Sequence, residues 1–499
     1  MSHKAIETAA QAASAPDAPS PRVGFVSLGC PKNLVDSEVM MGLLTRAGAT
    51  LTPDAAQADI LVVNTCSFID KAKQESVDTI LEMARHKTGG RATRLVVTGC
   101  MVERYRNEIQ ANIPEVDAVV GTGELESIVA AAGIERANSP FRILSPQESA
   151  AAVRAEGLRR EQQGRFSREQ WDGAIAELPN YLYDEATPRV RTTASSSAYI
   201  KIAEGCDHPC GFCIIPQLRG KFRSRRFESV VAEAERLVAE GVREITLIGQ
   251  DTTCYGEDLG MKDGLAQLLD RLARIEGLRW LRFLYAYPNK VTPRLLETMA
   301  SHDTICKYLD VPLQHAAPAV LRRMKRGGGS EIFLAMIERA RAVMPDISLR
   351  TSFIAGFPGE TDADFAELLG FVEQARFDWL GVFEYSDEEG SAAFALDAKV
   401  PRAVIGQRRR KLMAAQKRIS RATRKAQIGQ PMTVLIEGES EETPLLWQGR
   451  SAMHAPEIDG KILINDFGPY TALQPGAFYT CEVTEAHDYD LVARVTGVA

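Results

Sequence analysis

The 499-residue sequence predicts an α/β protein in three successive parts: an N-terminal doubly wound α/β domain, a central partial β/α barrel of the TIM kind, and a small C-terminal β-barrel. Three observations predict it. Over residues 22–139, apolar strand-like runs alternate with helix-like stretches, as in a parallel sheet. A longer series of the same alternation fills 198–399. After Gly429 the pattern changes to short β runs punctuated by Gly and Pro.

Each element follows in chain order. Residues 1–21 are rich in Ala, Ser and Pro and lack the apolar core of a signal peptide, so they read as a disordered tail. Val23–Leu28, Ile60–Asn64 and Leu95–Thr98 are expected strands, and Leu34–Thr45 and Lys71–Arg85 expected helices. Residues 140–197 are polar and irregular and read as a linker with some helix. The barrel strands are Ala198–Ala203, Glu244–Gly249, Trp280–Tyr285, Lys307–Pro312, Ser348–Ile354 and Leu380–Tyr385. Amphipathic helices such as Ser229–Glu240, Leu265–Ile275 and Asp362–Ala375 lie between them. Residues 400–428 carry ten Lys or Arg and no acid, and read as a long basic connecting helix. Met432–Ile436, Lys461–Ile464, Ala477–Val483 and Leu491–Val495 supply the strands of 429–499.

A net charge of −7 gives no global basic field that would argue for nucleic acid. No apolar run is long enough to span a bilayer, so no membrane partner is expected. Without an export signal the expected compartment is the reducing cytoplasm, where nine cysteines are metal ligands or free thiols rather than disulfides.

The segment Glu204-Gly205-Cys206-Asp207-His208-Pro209-Cys210-Gly211-Phe212-Cys213 places three thiols within eight residues. A four-iron cubane takes four ligands, so three thiolates leave one iron open. The amino and carboxylate groups of S-adenosylmethionine suit an open position, as substrates do at catalytic metals. Cys206 lies beyond the first barrel strand, at the face where such barrels place their active sites. The alternative is a zinc knuckle, but zinc sites pair two ligand halves and no second half is nearby. The spacing, with Phe212 inside it, resembles the radical S-adenosylmethionine superfamily signature. That resemblance implies that Phe212 lies beside the adenine. It also implies that Gln250 and Asp251 after the second strand, and Gly356 after the fifth, help bind the cofactor.

Cys30, Cys66 and Cys100 are dispersed, yet each ends an apolar strand and precedes a helix. In a parallel sheet all strand C-termini share one edge, so three βα units would gather three thiols there. Gly29 and Gly99 allow close backbone approach, and helix N-termini favour an anionic cluster. The alternative is three buried cysteines that happen to end strands.

Two such trios in this order resemble the methylthiotransferases, across nearly everything from Arg22 onward. The nearest branch is the ribosomal-protein aspartate methylthiotransferases, through Leu28-Gly29-Cys30-Pro31-Lys32-Asn33-Leu34-Val35-Asp36-Ser37-Glu38, Cys213–Pro216, Gln250–Thr252, Pro312–His315, Tyr385–Gly390 and Ala455–Gly460. His454 departs from the family's more usual Asp. The resemblance implies a C-terminal TRAM domain, two 4Fe–4S clusters and S-adenosylmethionine as cofactors. Its implied substrate is an aspartate of the twelfth small-subunit ribosomal protein, free or in the assembled subunit. One S-adenosylmethionine methylates a sulfur on the cluster of Cys30, Cys66 and Cys100. A second is cleaved at the cluster of Cys206, Cys210 and Cys213, and the aspartate β-carbon radical captures the methylthio group. An electron donor such as flavodoxin or ferredoxin is expected.

Two other readings compete. A tRNA methylthiotransferase would share both clusters, but residues 429–499 hold eleven acids against three bases, which disfavours a phosphate backbone and suits a basic ribosomal protein. A non-catalytic electron carrier or ribosome-binding protein would more often supply four protein ligands per cluster. Cys254, Cys306 and Cys481 read as bystanders, and His208 as a loop-surface residue. Arg219, Lys221, Arg223, Arg225 and Arg226 either meet a carboxylate or stand in solvent. Glu388 and Glu389 are candidates for positioning the substrate.

Overall fold

Buried β-branched runs and helix formers alternate to build a five-stranded parallel sheet first. The computed structural model describes residues 20–134, 179–441 and 443–499. The expected tail therefore lies almost wholly outside the described residues, as does the linker up to residue 178. The first domain contains β1 (Arg22–Ser27), α1 (Pro31–Arg46), β2 (Thr50–Thr52), β3 (Ile60–Thr65), α2 (Asp70–Thr88), β4 (Arg94–Gly99), α3 (Cys100–Asn112), β5 (Ala118–Val120) and α4 (Ile128–Ala131). Strand order is β2-β1-β3-β4-β5. Val23 pairs with Ile60, and Ile60 with Arg94, all in parallel. Every residue of β3 is buried, as expected for a sheet covered on both faces. The chain leaves β1 for β2 on one side and returns to β3 on the other, so the crevice between β1 and β3 is a topological switch point.

The barrel runs β6 (Ser197–Lys201), β7 (Ala203–Glu204), α5 (Ile215–Arg219), β8 (Arg223–Ser224), α6 (Phe227–Ala239), β9 (Glu244–Ile248), α7 (Gly264–Leu272), β10 (Trp280–Phe283), α8 (Pro293–Ser301), β11 (Tyr308–Asp310), α9 (Pro318–Arg323), α10 (Ser330–Val343), β12 (Ser348–Ala355), α11 (Asp362–Ala375) and β13 (Trp379–Glu384). Two parallel three-stranded sheets, β6-β9-β10 and β11-β12-β13, form it. They meet through the Leu281/Ile305 bridge and the Ala286 N–H to Asp310 C=O bond of 2.9 Å. The result is an open barrel of six strands. The sequence reading of Ala198–Ala203 as one strand is corrected: Ala203 and Glu204 leave the barrel wall to pair antiparallel with Ser224 and Arg223. That hairpin straps the intervening cysteine loop.

The basic helix is α12 (Arg402–Lys425), and four of its cations form ion pairs with neighbouring elements. Arg408 pairs with Glu360 and Asp362, Arg418 with Glu373, and Lys417 and Arg421 with Asp488. The last domain is a closed barrel, order β14-β15-β16-β18-β17, from β14 (Pro431–Glu439), β15 (Trp447–Arg450), β16 (Ile462–Asp466), β17 (Phe478–Ala486) and β18 (Leu491–Val498). It seats against the end of the central barrel where strands begin: Arg450 meets Glu244, the first residue of β9, and Phe478 packs edge-on against Trp280, the first of β10. The cysteine loop lies at the opposite end of the strands. The described end of the linker is a clamp rather than a loose tether. Arg189, buried, joins Glu38 of α1 to Glu233 of α6, and Thr192 donates to Glu38.

Candidate functional site

The three dispersed cysteines stand at the C-terminal ends of adjacent strands. Cys30 is the extended N-cap of α1, Cys66 follows β3, and Cys100 opens α3 after β4. The Leu28 N–H donates to Asn64 C=O at 2.9 Å, which zips the first two turns together. Both turn glycines are required. Gly29 has φ +92°, and a Cβ there would lie 2.8 Å from that of Cys66. Gly99 has φ +97°, and its Cβ would lie 2.3 Å from Asn64 Oδ1. Asn33 binds both turns, donating from Nδ2 to the carbonyls of Leu28 (2.6 Å) and Thr65 (3.3 Å). The thiols feel one another. Burial pushes Cys100 up to about 12 and raises Cys66, and Cys30 adds to both. At Cys30 burial also opposes ionisation, but Lys32, Arg219 and the Asn33 and Lys32 amides outweigh it and lower the pKa.

The second trio rides on the strapped loop. Gly205, φ +79°, lets the chain pass under Lys221, whose carbonyl would be 2.1 Å from a Cβ. The Cys206 N–H donates to Gly220 C=O, Gly211 N–H to Met324 C=O, and Cys213 N–H to Cys210 C=O. Arg326 Nη1 stands 3.4 Å from Cys210 Sγ. Burial lifts Cys206 to about 11 and Cys213 to about 12, with neighbouring thiols adding to each.

Of the expected cofactor contacts, Phe212 is half-buried against the barrel core. Asp251 is buried and already bonded to His208 Nε2 (2.6 Å), Thr253 and the Cys254 thiol. Gln250 Nε2 donates to Glu204 at 2.5 Å, while its Oε1 is buried without a partner. Gly356 has φ +83° and donates its N–H to Glu360; a Cβ would strike Ile405 at 2.3 Å, so packing with α12 accounts for this glycine. His208 is not a free surface residue: it stacks on Tyr287 at 3.8 Å and 8°. Cys254 likewise is tied into the site rather than standing by, through Asp251.

All nine cysteines are free. Among the described residues, His208, Asp251 and Cys254 are the set whose ligand atoms lie within 4.8 Å of one another. The two trios are spread more widely than the shell of a single ion. Thiolates are the donors that iron–sulfur groups take, and six free thiols in two trios supply that donor chemistry.

Helix α5 joins the two trios. It begins two residues after Cys213, and Ile214 and Leu218 form one apolar cluster with Cys100. The Thr122 hydroxyl donates to Leu218 C=O at 2.7 Å. Sequence reasoning missed most of what surrounds this helix. Lys201 bonds Asp36 and Glu204, and Arg219 bonds Asp36 and Asn33, all buried. A lysine closing an otherwise apolar strand was the available signal. Glu388, expected to meet substrate, is instead buried between Lys73 of α2 and Arg104 of α3. Arg225 is buried on Glu233, and Lys221 is exposed.

Three family models match the chain: an uncharacterized protein family, UPF0004, over 22–121; the radical SAM superfamily over 200–372; and the TRAM domain over 428–496. Three curated relatives are each described as ribosomal protein uS12 methylthiotransferase RimO. That of Koribacter versatilis is 68% identical over 96% of this chain and 97% of its own. That of Solibacter usitatus is 56% identical over 95% and 94%. That of Anaeromyxobacter sp. is 46% identical over 95% and 93%.

Proposed function

The chain belongs to the ribosomal protein uS12 methylthiotransferase family, within the radical SAM superfamily, and from that premise we propose how its residues divide the reaction. Cys206, Cys210 and Cys213 hold one 4Fe–4S cluster, and Cys30, Cys66 and Cys100 hold the other. These groups supply what side chains cannot: reductive cleavage of S-adenosylmethionine at the first, and a sulfur to be methylated at the second, for methylthiolation of an aspartate β-carbon of uS12. The carbon attacked carries no proton acidic enough for a side-chain base to remove, so the hard step falls to the cofactors. The single observation that carries the reading is α5, which runs from the loop of one trio to cover Cys100 of the other.

The chain's own residues do the positioning. Gly29, Gly99 and Asn33 hold the sheet-edge turns together, and the β7–β8 hairpin holds the loop. Gln250 Oε1, buried and unpartnered, is the polar atom we assign to S-adenosylmethionine, with Phe212 beside its adenine. Part of the last domain's acidic charge is engaged in contacts. Glu437, Glu482 and Asp488 are paired with Arg450, Arg494, and Lys417 and Arg421, while Asp459 accepts from Tyr308. The protein substrate rests on the family, and the excess of acids over bases in 429–499 agrees with it. A one-electron donor of the flavodoxin or ferredoxin kind completes the cycle in the cytoplasm. Among the described residues no helix is long and apolar enough to cross a membrane.

Anaerobic reconstitution with a uS12 peptide beside tRNA tests the reading. The peptide gains the methylthio mass and the tRNA does not; the reverse would overturn the substrate. Cys206→Ala abolishes formation of 5′-deoxyadenosine. Cys66→Ala leaves that cleavage in place while sulfur insertion stops. Loss of cleavage in both variants would refute the division of labour.

A further inference from the structure

A buried ion network lies between the trios. Lys201, at the end of β6, bonds Asp36 of α1 and Glu204 of β7. Arg219, the last residue of α5, bonds Asp36 and stands 3.5 Å from Glu204. Gln250 closes the chain on the other carboxylate oxygen of Glu204. The four ionic side chains are 2–4% exposed. Two cations face two carboxylates, so the network balances its own charge, the condition under which buried ions persist.

Arg219 reaches beyond that balance. Its Nη2 donates to Asn33 Oδ1 at 3.1 Å, and Asn33 in turn holds the carbonyls of Leu28 and Thr65. Those carbonyls belong to the turns that carry Cys30 and Cys66. Arg219 also acts electrostatically on the Cys100 and Cys30 thiols. One guanidinium from the barrel thus holds the support of the Cys30 and Cys66 turns and places its charge near the third thiol. A fork of fixed donors can serve Asp36 and Asn33 together, whereas an ammonium cannot match that geometry. A cluster held by three thiolates is anionic and gains a further negative charge on reduction. A fixed cation beside it favours the reduced form, and hydrogen bonds to the sulfurs act in the same sense.

We propose that Arg219 is a positioning residue for the sheet-edge centre: it fixes the Cys30 and Cys66 turns through Asn33 and raises the reduction potential of the centre held by Cys30, Cys66 and Cys100. The inference rests on the proposed placing of a cluster at that trio. It makes the centre's potential depend on α5 being docked, and so on the barrel's own cysteine loop.

The test uses the full-length chain with Cys206→Ala, Cys210→Ala and Cys213→Ala, so that one centre titrates, followed by EPR under potentiometric control. The parent should hold about four irons per chain. Near-zero iron would overturn the second cluster and this inference with it. Arg219→Gln should lower the potential, so that the reduced-to-oxidised ratio at fixed potential falls about tenfold, about 59 mV for one electron. Arg219→Lys should restore the potential while losing iron to a chelator faster than the parent. Asp36→Asn, which removes a negative charge and leaves Arg219 in place, should shift the potential the opposite way. It carries the test if Arg219→Gln fails to retain iron. Full iron with an unmoved potential in Arg219→Gln, or a downward shift in Asp36→Asn, would overturn the role of Arg219 while leaving the cluster intact.

Discussion

Glu388 shows what a single buried carboxylate does for this site. It lies beyond β13 of the barrel, yet its partners, Lys73 at 2.9 Å and Arg104 at 2.6 Å, come from α2 and α3 of the first domain. Its side chain is 2% exposed, so the pairing is buried on the carboxylate side. Two residues on, the Gly390 carbonyl accepts from Gln217 of α5, which ties the same loop to the helix between the trios. Glu388→Gln leaves Arg104 facing a neutral amide, while Lys73 keeps Asp70 at 2.7 Å, and should cost about 1–3 kcal/mol, the scale for leaving a buried polar partner unsatisfied. Chemical denaturation of the metal-free full chain measures that loss. The assembled enzyme should also release 5′-deoxyadenosine without matching methylthio product, because the two trios no longer keep a fixed separation. An unchanged midpoint and an unchanged ratio would together refute the clamp. At this scale the cysteines were legible because each one carries its own context, a strand end before a helix. Their ionic supports were not: Lys201 is 165 residues from Asp36, and Arg219 is 183 from it, so no local pattern could pair them.

Helix α1 is the element on which the site turns. Its sequence reads as a helix, and the expected Leu34–Thr45 falls inside the observed Pro31–Arg46. Pro31 and the extended Cys30 set the start, where a missing N–H does no harm. What periodicity could not show is that both faces are covered. Asn33, Asp36, Ser37 and Glu38 are all buried, because the helix has its own sheet on one side and the barrel and linker on the other. Its polar residues are therefore inward-facing contacts rather than a solvated face. Strands of five residues or more were readable for the same reason α1 was, whereas Thr50–Thr52 and Ala118–Val120 are too short to carry a period. At Gly42 the linker lies directly against α1: a Cβ there would lie 2.3 Å from the Pro188 carbonyl oxygen. Backbone on both sides leaves little to yield. Gly42→Ala should thus destabilise the chain by about 1–3 kcal/mol despite the better helix propensity of alanine. The same change at Gly370, also helical but with open space around it, should stabilise slightly. Thermal unfolding of the two variants compares them directly, and equal effects would show that the linker does not press on α1.

Across the whole molecule, the order of the three parts could be read from the sequence, but how they dock could not, because the joints pair buried polar groups and apolar side chains that lie far apart in the chain. Glu244 is held down to about 2: burial opposes ionisation, but Arg450 and Arg282 overcome it. Trp379 Nε1 donates to Met453 C=O at 2.8 Å, and Tyr308 donates to Asp459. His454 sits in the same joint, its Nδ1 2.8 Å from the Ser451 hydroxyl and its ring beside Trp379. Burial first, then Arg424, Arg450 and Arg282, push its pKa well below 6.5. It is therefore neutral in the fold and titrates normally when unfolded. Below pH 6.5 the unfolded chain binds the extra proton, so this residue's contribution is fully present above that pH and is lost as pH falls toward its folded value. Asp459 works in the opposite sense: burial raises its pKa above 3.8, so protonation in acid favours the fold. The two are separable by mutation. Between about pH 7 and 5, the unfolding midpoint of the metal-free full chain should fall more steeply in the parent than in His454→Asn, where no imidazole takes up a proton. Glu244 and its arginines are unaltered in both chains, so their share cancels in the difference curve. Parallel midpoint curves across that range would mean that His454 is charged or solvated in the native joint, and that the three arginines around it do not exclude a proton.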